Sequence, residues 1–443
     1  MSDITVIGAG LAGCEAAWQA AQMGANVKLI EMKPQEFSPA HHSPLFAELV
    51  CSNSLRSDRW ENGVGLLKEE LRRMDSLLMQ CADRSKVPAG GALAVDRESF
   101  SAAVTEAMQT HPRITVEAAR ADAIPDTGVV VIATGPLTQG GLFSDIEKKV
   151  DRGNLHFFDA AAPIVTSESI DRKKVFAMSR YGKGSDDYLN CPMNKEEYLQ
   201  FYNALIYAEP AMVKDFDKNM VFEGCMPIET MAGRGEDTMR FGPLKPVGLI
   251  DPRTGKEPYA CVQLRQDDAK ATMYNIVGFQ TRLKFTEQLR VFRMIPGLEN
   301  AEFYRMGVMH RNTFLQSPGL LDRSYAWLGD SRIFFAGQMT GVEGYVESIG
   351  SGWVAGRFAA LKIKGISTEY RLPEETMLGA MAAYISDTRI KKFQPMNANF
   401  GIIPPLTHKV RGKKERNMAL AHRSLEHIEQ VNSFFSPYLF TEA

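Results

Sequence analysis

The feature that most constrains this chain is Gly8-Ala9-Gly10-Leu11-Ala12-Gly13, set between the strand-like run Ile4-Thr5-Val6-Ile7 and an Ala-rich helical run over residues 11–23. A second strand is expected over 27–31, ending on Glu31. In a strand–turn–helix of this pattern the first glycine permits the tight turn, the second lets backbone approach a pyrophosphate, and the third lets helix pack on strand. The helix N-terminus offers free N–H groups and a positive dipole end to phosphate. Glu31 follows Gly13 by 18 residues, where a carboxylate can grip ribose hydroxyls. Gly8, Ala9, Gly10, Leu11, Ala12, Gly13 and Glu31 are therefore candidate cofactor-binding residues. A purely structural glycine turn and an S-adenosylmethionine site are the competing readings.

Two later stretches favour FAD. Residues 128–133 form a strand that ends at Thr134-Gly135, which resembles the strand that flavoproteins of the glutathione-reductase type place near the cofactor. Phe335-Ala336-Gly337, then Gly341-Val342-Glu343-Gly344-Tyr345, then an expected helix start at Gly350-Ser351-Gly352, resembles their C-terminal flavin motif. Gly337, Gly344 and Tyr345 join the candidate set; Tyr345 can stack on the isoalloxazine or pack the core.

The implied fold class is α/β, a Rossmann-type FAD-binding domain of the glutathione-reductase type with an inserted mixed α/β domain. The 443 residues suit such an arrangement. We expect the FAD-binding domain over 1–160 and 325–370, the insertion over 161–324, and a C-terminal helical segment with a basic loop over 371–443. Met1 leads almost at once into the first strand, and no long apolar run appears, so the expectation is a cytoplasmic protein with no membrane partner. The six cysteines, at 14, 51, 81, 191, 225 and 261, form no C-x-x-C pair, so reduced thiols and no metal site are expected. A net charge of −2 means that any nucleic acid must be met by a local basic patch.

A more specific resemblance runs nearly end to end. Ala47-Glu48-Leu49-Val50-Cys51-Ser52-Asn53-Ser54-Leu55, Val87-Pro88-Ala89-Gly90-Gly91-Ala92-Leu93-Ala94-Val95-Asp96-Arg97 and Tyr188-Leu189-Asn190-Cys191-Pro192-Met193 resemble signatures of the folate- and FAD-dependent tRNA uracil-5 methyltransferases. So do the stretches 241–249, 307–313 and 397–401. The resemblance implies methylation of carbon 5 of uridine 54 in the tRNA T-loop. Methylene-tetrahydrofolate would be the carbon donor and reduced FAD the reductant, with NAD(P)H regenerating the flavin. No second G-x-G-x-x-G marks a nicotinamide domain, so NAD(P)H is expected to visit the flavin face transiently. The same chemistry on a ribosomal RNA uridine is an alternative. A related family that modifies the tRNA wobble uridine is the runner-up. It carries a long extra helical domain where only about 90 residues remain here.

Carbon 5 of uracil is a poor nucleophile until a thiolate adds to carbon 6. An unperturbed thiol, with a pKa near 8.5, is only a few per cent ionised at neutral pH, so a reactive one needs a cationic or helix-end setting. By residue type alone each cysteine reads as a small buried apolar side chain; the resemblance reverses that for two. It implies Cys225 as the carbon 6 nucleophile and Cys51, followed by turn-forming Ser52-Asn53-Ser54 with Arg56 nearby, as a second active-site thiol that accepts a proton or holds the methylene intermediate near the flavin, and the roles of the two cysteines can be exchanged. Cys14 is expected to pack the phosphate-binding helix, and Cys81, Cys191 and Cys261 to be structural. His310, beside Arg311, can stack on the pterin ring or be an ordinary histidine. Lys409, Arg411, Lys413 and Lys414 are candidate RNA-phosphate contacts, although charge runs are usually solvated surface. The target uridine must be flipped out of its loop into the pocket.

Overall fold

The computed structural model describes residues 3–150, 155–182, 186–211, 226–366 and 369–440. A six-stranded sheet runs in the order Ala326–Trp327, Asp330–Phe335, Val129–Ile132, Ile4–Ile7 (β1), Val27–Glu31 (β2) and Ile114–Ala118. All of its pairings are parallel except that of Ala326–Trp327. Val129–Ile132 is buried at every position, the continuous apolar run needed by a strand covered on both faces.

The helix Leu11–Gln22 (α1) carries the glycine turn against this sheet and is crossed by the helix Tyr345–Ile363. That second helix corrects a sequence expectation. Gly350-Ser351-Gly352 does not start it; the helix begins at Tyr345 and these residues lie inside it. The reason is packing. A Cβ on Gly352 would stand 2.2 Å from the Ala12 carbonyl oxygen, and one on Gly356 2.4 Å from that of Ala16. Glycine inside a helix costs about 0.5–1 kcal/mol relative to alanine; here it lets two backbones touch.

A second, antiparallel sheet has the order Phe176–Ala177, Tyr188–Met193, Ala260–Gln266, Met273–Ile276, Ile164–Thr166, Phe303–Arg305. It has its own apolar core around Tyr198, Phe201, Phe279 and Phe292. A two-stranded ladder, Leu155–Ala160 with Met309–Phe314, lies where the chain enters and leaves this unit. The fold class expected from the sequence, a Rossmann-type unit with an inserted mixed α/β unit, is the one observed. Among the described residues no helix is long and apolar enough to cross a membrane.

The C-terminal helices Met377–Ser386 and Lys413–Phe435 bury Met377, Leu378, Leu425, Ile428 and Phe435 in the same core as Val6 and Val131. Glu70, on the helix Gly63–Arg73, fixes the first of them. Its carboxylate accepts the N–H groups of Met377 (2.7 Å) and Leu378 (2.9 Å), and the Ser424 hydroxyl. Those amides belong to the first turn of Met377–Ser386, where no intrahelical acceptor exists. Burial pushes the Glu70 pKa from 4.5 up to about 7. A folded-state value above the unfolded one means that this contribution to stability is complete below pH 4.5 and lost as pH rises through about 7. Full loss is on the order of 3 kcal/mol. The melting temperature of wild type should therefore fall between pH 5 and pH 7.5 more steeply than that of Glu70→Gln. Parallel profiles in a thermal melt series would refute this.

Candidate active site

A cleft opens at the C-terminal ends of β1 and β2, lined by Gly8 to Ala12, Glu31, Cys51, Gly337 and Tyr345 among others. Gly8 has φ +99°, and a Cβ there would lie 2.7 Å from the Ala133 carbonyl oxygen. A Cβ on Gly13 would lie 1.8 Å from the Gly8 carbonyl oxygen, so α1 touches the turn beneath it. Gly10 differs: a Cβ there meets nothing within 4 Å. It faces the open cleft, where an approaching group can reach the backbone. Gly10 caps α1 with no side-chain bond, which leaves first-turn N–H groups for a ligand. The Glu31 carboxylate accepts the Ala9 N–H at 2.6 Å and the Lys33 N–H at 3.0 Å, which fixes it at the edge of β2. Gly337 (φ +83°) turns the chain and donates its N–H to Ser351 Oγ at 2.7 Å. Gly13 and Gly344 do not line the cleft. Gly344 (φ +120°) precedes the helix Tyr345–Ile363, and a Cβ there would collide with Glu347 Oε2 at 2.2 Å.

At the other end of the cleft Cys51 meets Tyr345. The Tyr345 hydroxyl oxygen lies 2.8 Å from the Cys51 amide nitrogen, 3.2 Å from that of Ser52, and 3.0 Å from Cys51 Sγ. The segment around Cys51 is braced onto the second sheet. Buried Asn53 donates from Nδ2 to the carbonyls of Val95 (3.1 Å) and Gln266 (3.0 Å), while its Oδ1 accepts from Arg265 Nε at 3.1 Å. Arg265 Nη2 donates to Ser52 Oγ at 2.7 Å. Arg97 pairs with Asp267 at 3.0 Å and donates to the Leu49 carbonyl. The signature stretches at 47–55 and 87–97 thus serve as the clamp between the two units. Arg305, at the end of the second sheet, also lines the cleft, and among the described residues its buried Nε and Nη2 find no hydrogen-bond partner.

The remaining candidates fall in different places. Cys225 lies outside the described residues. The backbone of His310 and Arg311 sits on the ladder, opposite Asp159 and Phe158, beside the cleft-lining Asn312; their side chains lie outside the described residues. Lys409, Arg411, Lys413 and Lys414 are exposed and do not line the cleft. They lead into the helix Lys413–Phe435, which Asn417 ties to the Glu61 carbonyl at 3.0 Å. Among the described cysteines Cys51 alone is half-buried; Cys14, Cys81, Cys191 and Cys261 are buried. Cys14 donates to the Ala9 carbonyl at 3.3 Å, and burial pushes its thiol well up. Burial pushes Cys261 up to about 12.

Sequence reasoning missed Lys33 and Arg305. Lys33, buried in the cleft wall, donates to the carbonyls of Ser43 (3.2 Å) and Leu45 and lies 3.7 Å from Glu48. Its place two residues after the strand-ending acid was the available signal. Nothing local marks Arg305.

Residues 3–367 match the family described as GIDA, glucose inhibited division protein A. A relative from Acetivibrio thermocellus, named methylenetetrahydrofolate--tRNA-(uracil-5-)-methyltransferase TrmFO, is 61% identical over 98% of this chain and 99% of its own length. One of the same name from Desulfitobacterium hafniense is 56% identical over 98% and 99%. The structure of Aquifex aeolicus GidA shares the fold, with a TM-score of 0.70 at 16% identity, covering all of this chain and 74% of the other. A profile match over most of the chain, together with near full-length identity above one half, places this protein in the TrmFO family of methylenetetrahydrofolate--tRNA-(uracil-5-)-methyltransferases, within the wider GidA family.

Proposed function

We propose that this enzyme methylates carbon 5 of uridine 54 in the tRNA T-loop, with methylene-tetrahydrofolate as carbon donor, FAD as the bound redox cofactor and NAD(P)H as the source of electrons. Relatives named for folate-dependent uracil-5 methylation of tRNA, matching over nearly their whole length, support the reaction class. The observation that carries the reading is that one cleft holds both a dinucleotide cradle and a thiol, with Gly8 to Ala12 along one wall and Cys51 on another.

The residues fit FAD. The space beside Gly10 is what a pyrophosphate needs, and any side chain would fill it. The first-turn amides of α1 are free to donate to phosphate. Each Glu31 oxygen accepts one backbone N–H and keeps a lone pair for a ribose hydroxyl. Bound there, FAD would supply the hydride that turns the transferred methylene into a methyl group.

The chain's own groups do the rest. Cys225 adds as thiolate to carbon 6, so that electron density moves onto carbon 5, which attacks the methylene carbon. Cys51 takes the carbon 5 proton as the bond between the methylene carbon and the folate nitrogen breaks and tetrahydrofolate leaves; when hydride reaches the exocyclic methylene carbon, the carbon 6–sulfur bond breaks and the Cys225 thiolate returns. His310 stacks on the pterin, with Arg311 beside it. Lys409, Arg411, Lys413 and Lys414 meet tRNA phosphates, which makes binding salt-sensitive.

The test is to mix the enzyme anaerobically with unmodified tRNA transcript, carbon-labelled methylene-tetrahydrofolate and NADPH, and to count label in the digested nucleosides. Label in 5-methyluridine, lost when uridine 54 is replaced, is the expected result. A reducible yellow protein that leaves no label in tRNA would overturn the proposal.

A further inference from the structure

We propose that Tyr345 is a positioning residue that holds Cys51 as a thiolate at neutral pH by donating its hydroxyl hydrogen to the sulfur. This rests on the reading of Cys51 as an active-site thiol.

The argument is one of valence. Three groups surround the Tyr345 oxygen: the Cys51 N–H at 2.8 Å, the Ser52 N–H at 3.2 Å and Cys51 Sγ at 3.0 Å. Backbone amides only donate, so two of the contacts fill the two acceptor positions of the hydroxyl oxygen. Its single hydrogen is then left for the third contact, and the sulfur is the acceptor. A hydrogen bond donated to the charged form of an acid favours ionisation, and a donor to an ionised acceptor is the stronger kind. The reverse arrangement, S–H donating to the hydroxyl, would ask the oxygen to accept three hydrogens and leave its own without a partner.

The surroundings point the same way. Arg265 and Arg305 both lie close enough for Cys51 to favour their charged forms, although burial is the larger influence and lowers both guanidinium values. Arg265 is spent on Ser52 and Asn53. Arg305 lines the same cleft and keeps two buried nitrogens without a hydrogen-bond partner among the described residues; Asp267, like Cys51, lies close enough to favour its charged form. Tyr345 itself keeps its proton, because burial raises the phenol well above its ordinary value and the neighbouring Cys51 raises it further. The half-buried thiol is therefore the member of the pair that ionises. Tyr345 sits in the first turn of its helix, so the helix fixes where the sulfur stands relative to the cofactor cleft.

The test needs neither RNA nor folate. Flavin-loaded wild type and Tyr345→Phe are alkylated with iodoacetamide across a pH series, and the Cys51 peptide is quantified by mass spectrometry. In wild type the midpoint should fall below the value of about 8.5 for an unperturbed thiol. In Tyr345→Phe it should rise by about one pH unit, a tenfold loss of thiolate near neutrality, while the profile of the Cys225 peptide stays in place. A wild-type midpoint at or above that of a free thiol overturns the proposal even if the variant fails to fold. An unchanged Cys51 midpoint in flavin-loaded Tyr345→Phe overturns it as well. Methylation of tRNA is read separately, so a failure here leaves the reaction standing, and an enzyme that does not methylate tRNA leaves the thiolate question open to this measurement.

Discussion

Gly10→Ala will melt at the wild-type temperature without cofactor and bind FAD about a hundredfold more weakly, a loss of about 2.7 kcal/mol. Gly13→Val, three residues on, will lose the fold instead. The two outcomes follow from what an added Cβ meets. At Gly10 it meets nothing within 4 Å, and the backbone there (φ −76°, ψ −170°) is extended, so alanine is unstrained. The methyl group fills only space that the pyrophosphate requires. At Gly13 even one carbon stands 1.8 Å from the Gly8 carbonyl oxygen, and Gly8 is itself held at φ +99° against Ala133. Helix and strand must separate, and overpacking of this kind costs about 1–3 kcal/mol for modest intrusions; valine adds two further methyls. Thermal melts of the apo-proteins and flavin titration of those that fold separate the cases. A Gly10→Ala protein that takes up FAD as tightly as wild type would show that the pyrophosphate does not lie against this turn.

The glycine turn was readable because its pattern is local. Gly8, Gly10 and Gly13 lie in one strand–turn–helix, where Gly13 answers to the Gly8 carbonyl, and Glu31 lies at the end of the next strand, its carboxylate turned back onto Ala9. The start of the helix Tyr345–Ile363 was misread for the opposite reason. Gly350, Ser351 and Gly352 have the composition of a turn, but what selects the glycine at 352 is the Ala12 carbonyl more than three hundred positions away in sequence. A period-3.6 reading cannot distinguish a glycine that frees the backbone from one that admits another backbone.

Polar partners at long range were equally hidden. Asn53 and Arg265 are separated by 212 positions, and Glu70 accepts amides 307 and 308 positions on. Glu15 is another such case. It accepts from Ser76 Oγ (2.9 Å) and the Leu78 N–H (3.1 Å), which anchors the helix Leu77–Arg84, and burial raises it to about 7. On sequence these look like ordinary helical charges. Only a folded chain shows that they terminate other helices, or that the stretch around Cys51 stands over the second sheet. The thiol itself could be chosen by resemblance, whereas its hydroxyl partner could not, because Tyr345 reads equally well as a ring for stacking.

Cys51→Ala and Cys225→Ala should each lower methylation at least about a thousandfold while retaining FAD, since water does not replace an essential nucleophile or a positioned base. For Cys51 the structural side is explicit. Alanine removes the sulfur but keeps the Cys51 and Ser52 amides on the Tyr345 oxygen and the Asn53 clamp on Val95 and Gln266. The loop therefore stays in place and the loss is chemical. Overall rates alone do not tell the thiols apart, because the reaction stops in both variants, but the step at which each stops does. RNA carrying fluorine at carbon 5 of the target uridine has no proton there to give up, so an enzyme that has added its thiolate to carbon 6 and joined the methylene to carbon 5 remains bonded to the RNA. With Cys225 as nucleophile, wild type and Cys51→Ala should both give an adduct that survives denaturation, and Cys225→Ala should give none. The opposite pattern would exchange the two roles, with Tyr345 then serving the nucleophile directly. If either alanine variant methylates tRNA at the wild-type rate, that cysteine has no part in the chemistry.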